Sequence, residues 1–237
     1  MKIQLMDLVC WIYIKEFIYI FFFGEYFLMK FELTLMGDSN YFTYDFEEVL
    51  SRSICESLFR FSDELFDGFR FYNFSGFHFE NYYVMDDNSY YLRDGKISFF
   101  ISSVDDVFLR CFISKLLVDG LFCGDNHLEV IGVSLVDVPD FSIQRRFVSI
   151  CPVKVVGVVD SFIDYIGTLL LDNFHECFPD VGRLNFFIGD LFKKDVGDGD
   201  FYNLELVFEG DVRLLEFVWF VGLGADNFKG FGMMDVK

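Results

Sequence analysis

The chain has 237 residues, enough for one large domain or two small ones and for a core that needs neither disulfides nor metal. Its composition, 53% hydrophobic and 24% charged, excludes global disorder. With 19 Lys and Arg against 38 Asp and Glu, the net charge is −19, which taken alone speaks against a nucleic-acid partner, because binding phosphates needs a cationic surface. Residues 1–28 are apolar, with the run Phe17–Phe23, but that run is far shorter than the roughly 20 residues that span a bilayer. Asp7, Lys15, Glu16 and Glu25 interrupt the longer stretch, and no small-residue cleavage site follows it. Two readings of 1–28 stand: an upstream translation start, with Met29 as the true one, or an extra helix docked on the core.

From Met29 the pattern becomes regular. Lys30–Leu35 alternates as a strand. From Asp45 to about Arg60, the apolar residues Phe46, Val49, Leu50, Ile54, Leu58 and Phe59 fall at helical spacing, with Glu47 and Glu48 in the first turn. Phe69–Phe74 and Lys96–Ser102 read as strands around a polar, tyrosine-rich excursion. Ser103 or Asp105 caps a helix that runs to about Val118 and stops at Gly120. His127–Val138 alternates again. The order then repeats: a strand over Arg146–Val155, a helix over Asp160–Phe178, strands over Leu184–Phe192 and Phe201–Phe208, a helix over Asp211–Val221 and a closing strand over Phe231–Val236. Two successive β-α-β-β-α-β units predict an α+β chain of two tandem ferredoxin-like domains, over 29–143 and 144–237, with the boundary near 141–145.

The composition is skewed in a second way. There are 35 Phe and 12 Tyr but only one Ala, Ala225, and three Pro. The scarce residues need C in the first or second codon position, so part of the aromatic excess and part of the acidity reads as mutational bias. Six cysteines without a C-x-x-C pair read as free thiols of a reducing cytoplasm, and the spacing calls for no zinc site. Asp195–Asp200 has the look of a calcium loop but carries Leu206 where the closing Glu would stand, so a hairpin turn is expected. No nucleophile elbow or metallohydrolase helix motif occurs, and no cofactor is called for.

The densest local signal is the segment from Gly222 to Gly232, with Gly222, Gly224, Gly230 and Gly232 between a helix and the last strand. Glycine there permits positive φ and lets N–H groups crowd an anion, while Lys229 pairs with phosphate and Phe228 and Phe231 stack on bases. The plain alternative is a flexible turn. It is neither a Walker loop nor a dinucleotide fingerprint. Basic residues are few: Arg52, Arg60 and Arg70 fall on or just after the first helix, and Arg145 and Arg146 form a pair at an element edge, whose bland reading is a solvated edge.

The segment from Gly210 to Val236, with its final helix, G-x-G-x-x-x-x-x-G-x-G run and last strand, resembles the end of the CRISPR repeat-processing endoribonucleases of the repeat-associated superfamily. The start Met29–Leu35, the first helix entered through Tyr44 and Asp45, the Arg70–Ser75 strand and the Ser149–Val153 opening of the second domain fit the same family. The resemblance covers about 29–237. It implies tandem ferredoxin-like domains, CRISPR repeat RNA as partner, a prokaryotic cytoplasmic setting and no membrane. It leaves open a second copy and other CRISPR-associated proteins as further partners. The implied reaction is metal-independent: a 2′-OH attacks the adjacent phosphate and leaves a 2′,3′-cyclic phosphate. That chemistry asks for a base, an acid and a cation on the phosphorane. The family's catalytic tyrosine falls here on Cys55, its histidine near Phe66, where no histidine exists, and its lysine on Arg70; His78 is the histidine nearest in sequence. The resemblance therefore implies Arg70, His78 and Cys55 as catalytic candidates. It also implies Arg52, Arg60, Arg145, Arg146, Gly222, Gly224, Lys229, Gly230, Phe231 and Gly232 as RNA contacts. The alternatives are a member that holds repeat RNA without cutting it, a structural subunit of an interference complex, and an acidic plait that binds protein only.

Overall fold

A computed structural model describes residues 28–43, 45–79, 82–85, 89–142, 145–156, 161–182, 184–196 and 200–237. The question of residues 1–28 thus falls, but for Leu28, outside the described residues, as do Tyr44, Ile143 and Gln144. The first unit contains β1 (Met29–Gly37), β2 (Tyr41–Phe42), α1 (Phe46–Leu65), β3 (Tyr72–Phe79), β4 (Tyr82–Val84), β5 (Tyr90–Leu92), β6 (Lys96–Ser103), α2 (Asp106–Asp119), β7 (Leu121–Cys123) and β8 (Asn126–Leu135). The second contains β9 (Arg146–Ser149), β10 (Val153–Lys154), α3 (Phe162–Cys177), β11 (Phe186–Asp195), β12 (Phe201–Gly210), α4 (Val212–Val221), a 3-10 turn η1 (Asn227–Lys229) and β13 (Met234–Val236).

The first sheet runs β3-β6-β1-β8-β7 and the second β10-β12-β9-β13, with β11 on β12. In each unit the four main strands lie antiparallel, with the last strand beside the first and the second strand outermost. This is the ferredoxin-like arrangement, twice over. Alternation along β1 explains the packing: Leu33 and Leu35 are buried against Leu50, Ile54, Leu58, Phe108 and Phe112 of the helices. Asp105 caps α2 through the Phe108 N–H at 2.9 Å, and Asp211 caps α4 through the Arg213 N–H at 3.0 Å.

Three boundaries differ from expectation, each for a local reason. The strand expected over 69–74 begins at Tyr72 and runs on to Phe79. The Phe69 carbonyl accepts from Ser62 Oγ at 2.5 Å, and the Phe69 N–H donates to the Phe66 carbonyl at 3.0 Å, so these groups are spent in a turn. The strand expected over 146–155 is split, because Pro152 lacks an N–H and Ser149 Oγ takes the Leu204 N–H at 2.9 Å. The tyrosine-rich excursion forms a third sheet, β2-β5-β4, with Tyr41, Tyr91 and Tyr83 side by side across it. β11 and β12 pair up to Asp195–Tyr202, while residues 197–199 of the acidic run, where the hairpin turn is expected, lie outside the described residues.

The two units share an apolar junction. Leu28, Phe69, Phe71, Val104, Val136 and Phe141 pack into the second core. Lys30 is buried there, its Nζ donating to the Met234 carbonyl at 3.4 Å and standing 4.5 Å from the Trp219 ring. Desolvation pulls its pKa down to about 8, against the opposing pull of Asp235 and Cys151. A base with a lowered folded pKa carries its penalty in full below that value and sheds it as pH rises toward 10.5. The stability of the wild type relative to Lys30→Met is therefore expected to rise by about 3 kcal/mol between pH 8 and 10.5, in urea melts across that range. A pH-independent difference would contradict this assignment.

Candidate nucleic-acid interface

α1 presents Cys55, Phe59, Ser62 and Asp63 along one line, three to four residues apart. The turn after α1 brings Arg70 back over that line. Its Nη2 donates to Asp63 Oδ1 at 2.5 Å and its Nη1 to Ser62 Oγ at 2.8 Å and the Phe69 carbonyl at 3.0 Å. The guanidinium sits 4.3 Å from the centre of the Phe59 ring. Arg70 is thus fixed by four contacts while its side chain stays 27% exposed.

The glycine-rich segment forms the opposite wall. Gly222 ends α4, and its N–H donates to the Val218 carbonyl at 2.9 Å. Gly222, Gly224, Gly230 and Gly232 all have positive φ, between +68° and +93°. Two of them are dictated by close approach: a Cβ on Gly222 would meet the Gly232 carbonyl oxygen at 2.4 Å, and one on Gly230 would press on the Phe74 ring at 3.0 Å. The whole segment is tied to the first unit by Asn73, whose Nδ2 donates to the Val221 carbonyl at 2.9 Å and the Phe231 carbonyl at 3.0 Å. Ser102 Oγ adds a bond to the Phe220 carbonyl at 2.6 Å.

Docking brings η1 against α1. The Phe228 ring meets Phe59 edge-on at 5.3 Å, and Lys229 stands exposed beside it. Asp226, with φ +58°, receives Lys154 Nζ at 2.6 Å and Lys229 Nζ at 3.2 Å. Desolvation favours the neutral carboxyl, yet the two lysine hydrogen bonds prevail and hold Asp226 below its usual range. Burial pushes the Cys55 thiol up, and Lys229 and Arg70 only partly offset it, so Cys55 stays protonated at neutral pH. Tyr72 is buried and stacked on Phe108 at 5.1 Å; burial raises its phenol pKa, and its hydroxyl finds no partner.

The structure therefore gathers Arg70, Cys55 and Lys229 into one groove between α1 and the glycine segment. Arg52 lies on the same helical line but is held by Glu48 at 2.6 Å; Arg60 is exposed, one residue round the helix from Phe59. Other candidates lie elsewhere. His78 is exposed near the far end of β3, opposite Ser98 and four residues beyond Phe74, the β3 residue that Gly230 approaches. Arg145 and Arg146 open β9 at the end away from the glycine segment, and Arg146 pairs with Glu205 at 3.0 Å. The glycines serve the chain itself. Gly222, Gly224 and Gly232 are buried, and the N–H groups of Gly222, Gly230 and Gly232 all donate to protein carbonyls, so these three donors do not form an open anion nest. Phe231 is half-buried, 5.1 Å from Phe201. Asp63, Lys154 and Asp226 carry no local sequence signal; Lys154 and Asp226 are 72 residues apart and meet only in the fold. Among the described residues no group of three His, Cys, Asp or Glu stands together as a metal site, and no helix is long and apolar enough to cross a membrane.

No family model and no curated protein matches the chain. Solved structures do. A CRISPR-associated protein Cas6 matches with a TM-score of 0.70 at 19% identity, over 89% of this chain and 100% of that one. A Cas6-related protein from Pyrococcus furiosus matches with a TM-score of 0.68 at 16% identity, over 89% and 99%. A RAMP protein described as binding different RNA substrates matches with a TM-score of 0.67 at 16% identity, over 88% and 99%. The likeness is one of fold, and it extends over both ferredoxin-like units.

Asn73→Ala removes both N–H donors and leaves one buried and one half-buried carbonyl unpaired, so a loss of about 2 kcal/mol in urea unfolding is expected. A loss below about 0.5 kcal/mol would show that the amide does not fasten the segment.

Proposed function

We propose that this chain is a CRISPR repeat-RNA endoribonuclease of the Cas6 type, and that the groove between α1 and the glycine segment is where it engages RNA. The observation that carries the reading is the convergence of Arg70, Lys229 and Cys55 across that groove, at the place where the family-like glycine run docks on the first unit. Its support is the shared tandem fold, together with neighbours named as Cas6 proteins and as an RNA-binding RAMP protein.

In the proposed reaction a ribose 2′-OH attacks the adjacent phosphorus, the bond to the 5′ oxygen breaks, and a 2′,3′-cyclic phosphate and a 5′-OH result. Arg70, preset by Asp63, Ser62 and Phe59, faces the charge that grows on the phosphorane, and Lys229 adds a second cation. The protonated Cys55 thiol lies on the side of proton donation rather than abstraction. His78 is given no part in this step.

One feature favours a second reading, a protein that holds repeat RNA without cutting it. The described residues of the groove include no imidazole, and the nearest phenol, Tyr72, is sealed in the core. A cleavage assay in EDTA on repeat RNA separates the two, because tight binding without a cyclic-phosphate product supports the binder. For the endoribonuclease, Arg70→Ala is expected to slow single-turnover cleavage about 100-fold while weakening binding less than about tenfold. Equal losses would place Arg70 in positioning instead. His78→Ala is expected to leave the single-turnover rate within about twofold. A loss above about tenfold would return His78 to the mechanism.

A further inference from the structure

Lys154 and Lys229 come from different elements, β10 and η1, and meet on one carboxylate. Each takes its own oxygen of Asp226, Oδ2 for Lys154 at 2.6 Å and Oδ1 for Lys229 at 3.2 Å. Two non-bridging oxygens of a phosphodiester present the same paired acceptors to the same two ammonium groups. The three side chains remain partly open, 27%, 44% and 23% exposed, and the Phe228–Phe59 pair forms the adjoining wall. Asp226 itself is fixed. It adopts the left-handed conformation that starts η1, its carbonyl accepts the Lys229 N–H at 2.8 Å, and the preceding Ala225 bridges Lys154 through its own N–H at 2.8 Å.

The geometry points to a two-lysine subsite for one backbone phosphate of RNA, with Asp226 as the resident anion that shapes the pair and competes with the phosphate. This rests on the reading that the groove takes RNA, and it adds to that reading Lys154 and a built-in competitor. A polyanion gains little from lysines already neutralised; an RNA seated by its other contacts draws them off Asp226. The subsite therefore lowers affinity for arbitrary RNA more than for a fitted one.

The test is equilibrium binding of repeat RNA in EDTA over a series of salt concentrations, using wild type, Lys154→Met and Asp226→Asn, with thermal melts of each. Asparagine tolerates the left-handed backbone, so Asp226→Asn keeps the turn. Lys154→Met is expected to weaken binding about three- to tenfold at low salt and to flatten the slope of log K against log salt by about 0.7. Asp226→Asn is expected to do the reverse, tightening binding by a similar factor and steepening the slope. Wild-type binding with both variants unchanged, or Asp226→Asn binding more weakly at an unaltered melting temperature, overturns the subsite while leaving the RNA reading intact. A Lys154→Met variant that melts earlier but binds RNA as wild type makes the bridge a structural tie and also overturns it. Wild type without salt-sensitive RNA binding removes the RNA reading and the subsite with it. Should Asp226→Asn not fold, the Lys154→Met slope decides.

Discussion

The arrangement of the molecule depends on how the glycine segment is seated on the first ferredoxin-like unit. Asn73, wholly buried in β3, holds the end of α4 and the approach to β13 with one amide nitrogen. Together with the Ser102 bond and the Phe228–Phe59 contact, that fastening sets η1 against α1. The glycines follow from the same constraint. The backbone of the second unit runs so close to β3, and to itself, that side chains at Gly222 and Gly230 would collide with a carbonyl and a ring. Their spacing in sequence is thus the record of a docking geometry, and the side chains that this docking displays are the ones on which the proposed function rests.

Charge is the second organising fact. Among the described residues nine cations, Arg70, Lys154 and Lys229 among them, each meet a carboxylate within 4 Å. Such exposed pairs add little stability. Their consequence is for the proposed recognition: on a body of net charge −19, cations held in pairs give no broad attractive field, and an RNA bound as proposed would exchange one anionic partner for another, contact by contact. The opening objection to a nucleic-acid partner therefore becomes a statement about selectivity.

How much of this was legible in the sequence depends on the range of the interaction. The two β-α-β-β-α-β units could be read because periodicity and caps such as Asp105 and Asp211 are local. The small sheet of Tyr41, Tyr91 and Tyr83 could not, because strands of two or three residues carry too little alternation. Arg70 and Lys229 stood out as scarce cations, whereas Lys154 and Asp226 acquire meaning only where β10 meets the glycine segment. His78 follows Arg70 by eight residues but lies further along an extended strand, and Arg145 and Arg146 open β9 at the end away from the glycine segment, placements that sequence spacing does not reveal.

The most direct measurement of the central claim is photo-crosslinking of 4-thiouridine-substituted repeat RNA to the full chain, with the crosslinked peptides identified by mass spectrometry. Crosslinks are expected at Phe59, Phe228 and Lys229, on the two walls of the groove. Crosslinks confined to the His78 end of β3 or to Arg145 and Arg146, with the groove unmarked, would contradict it.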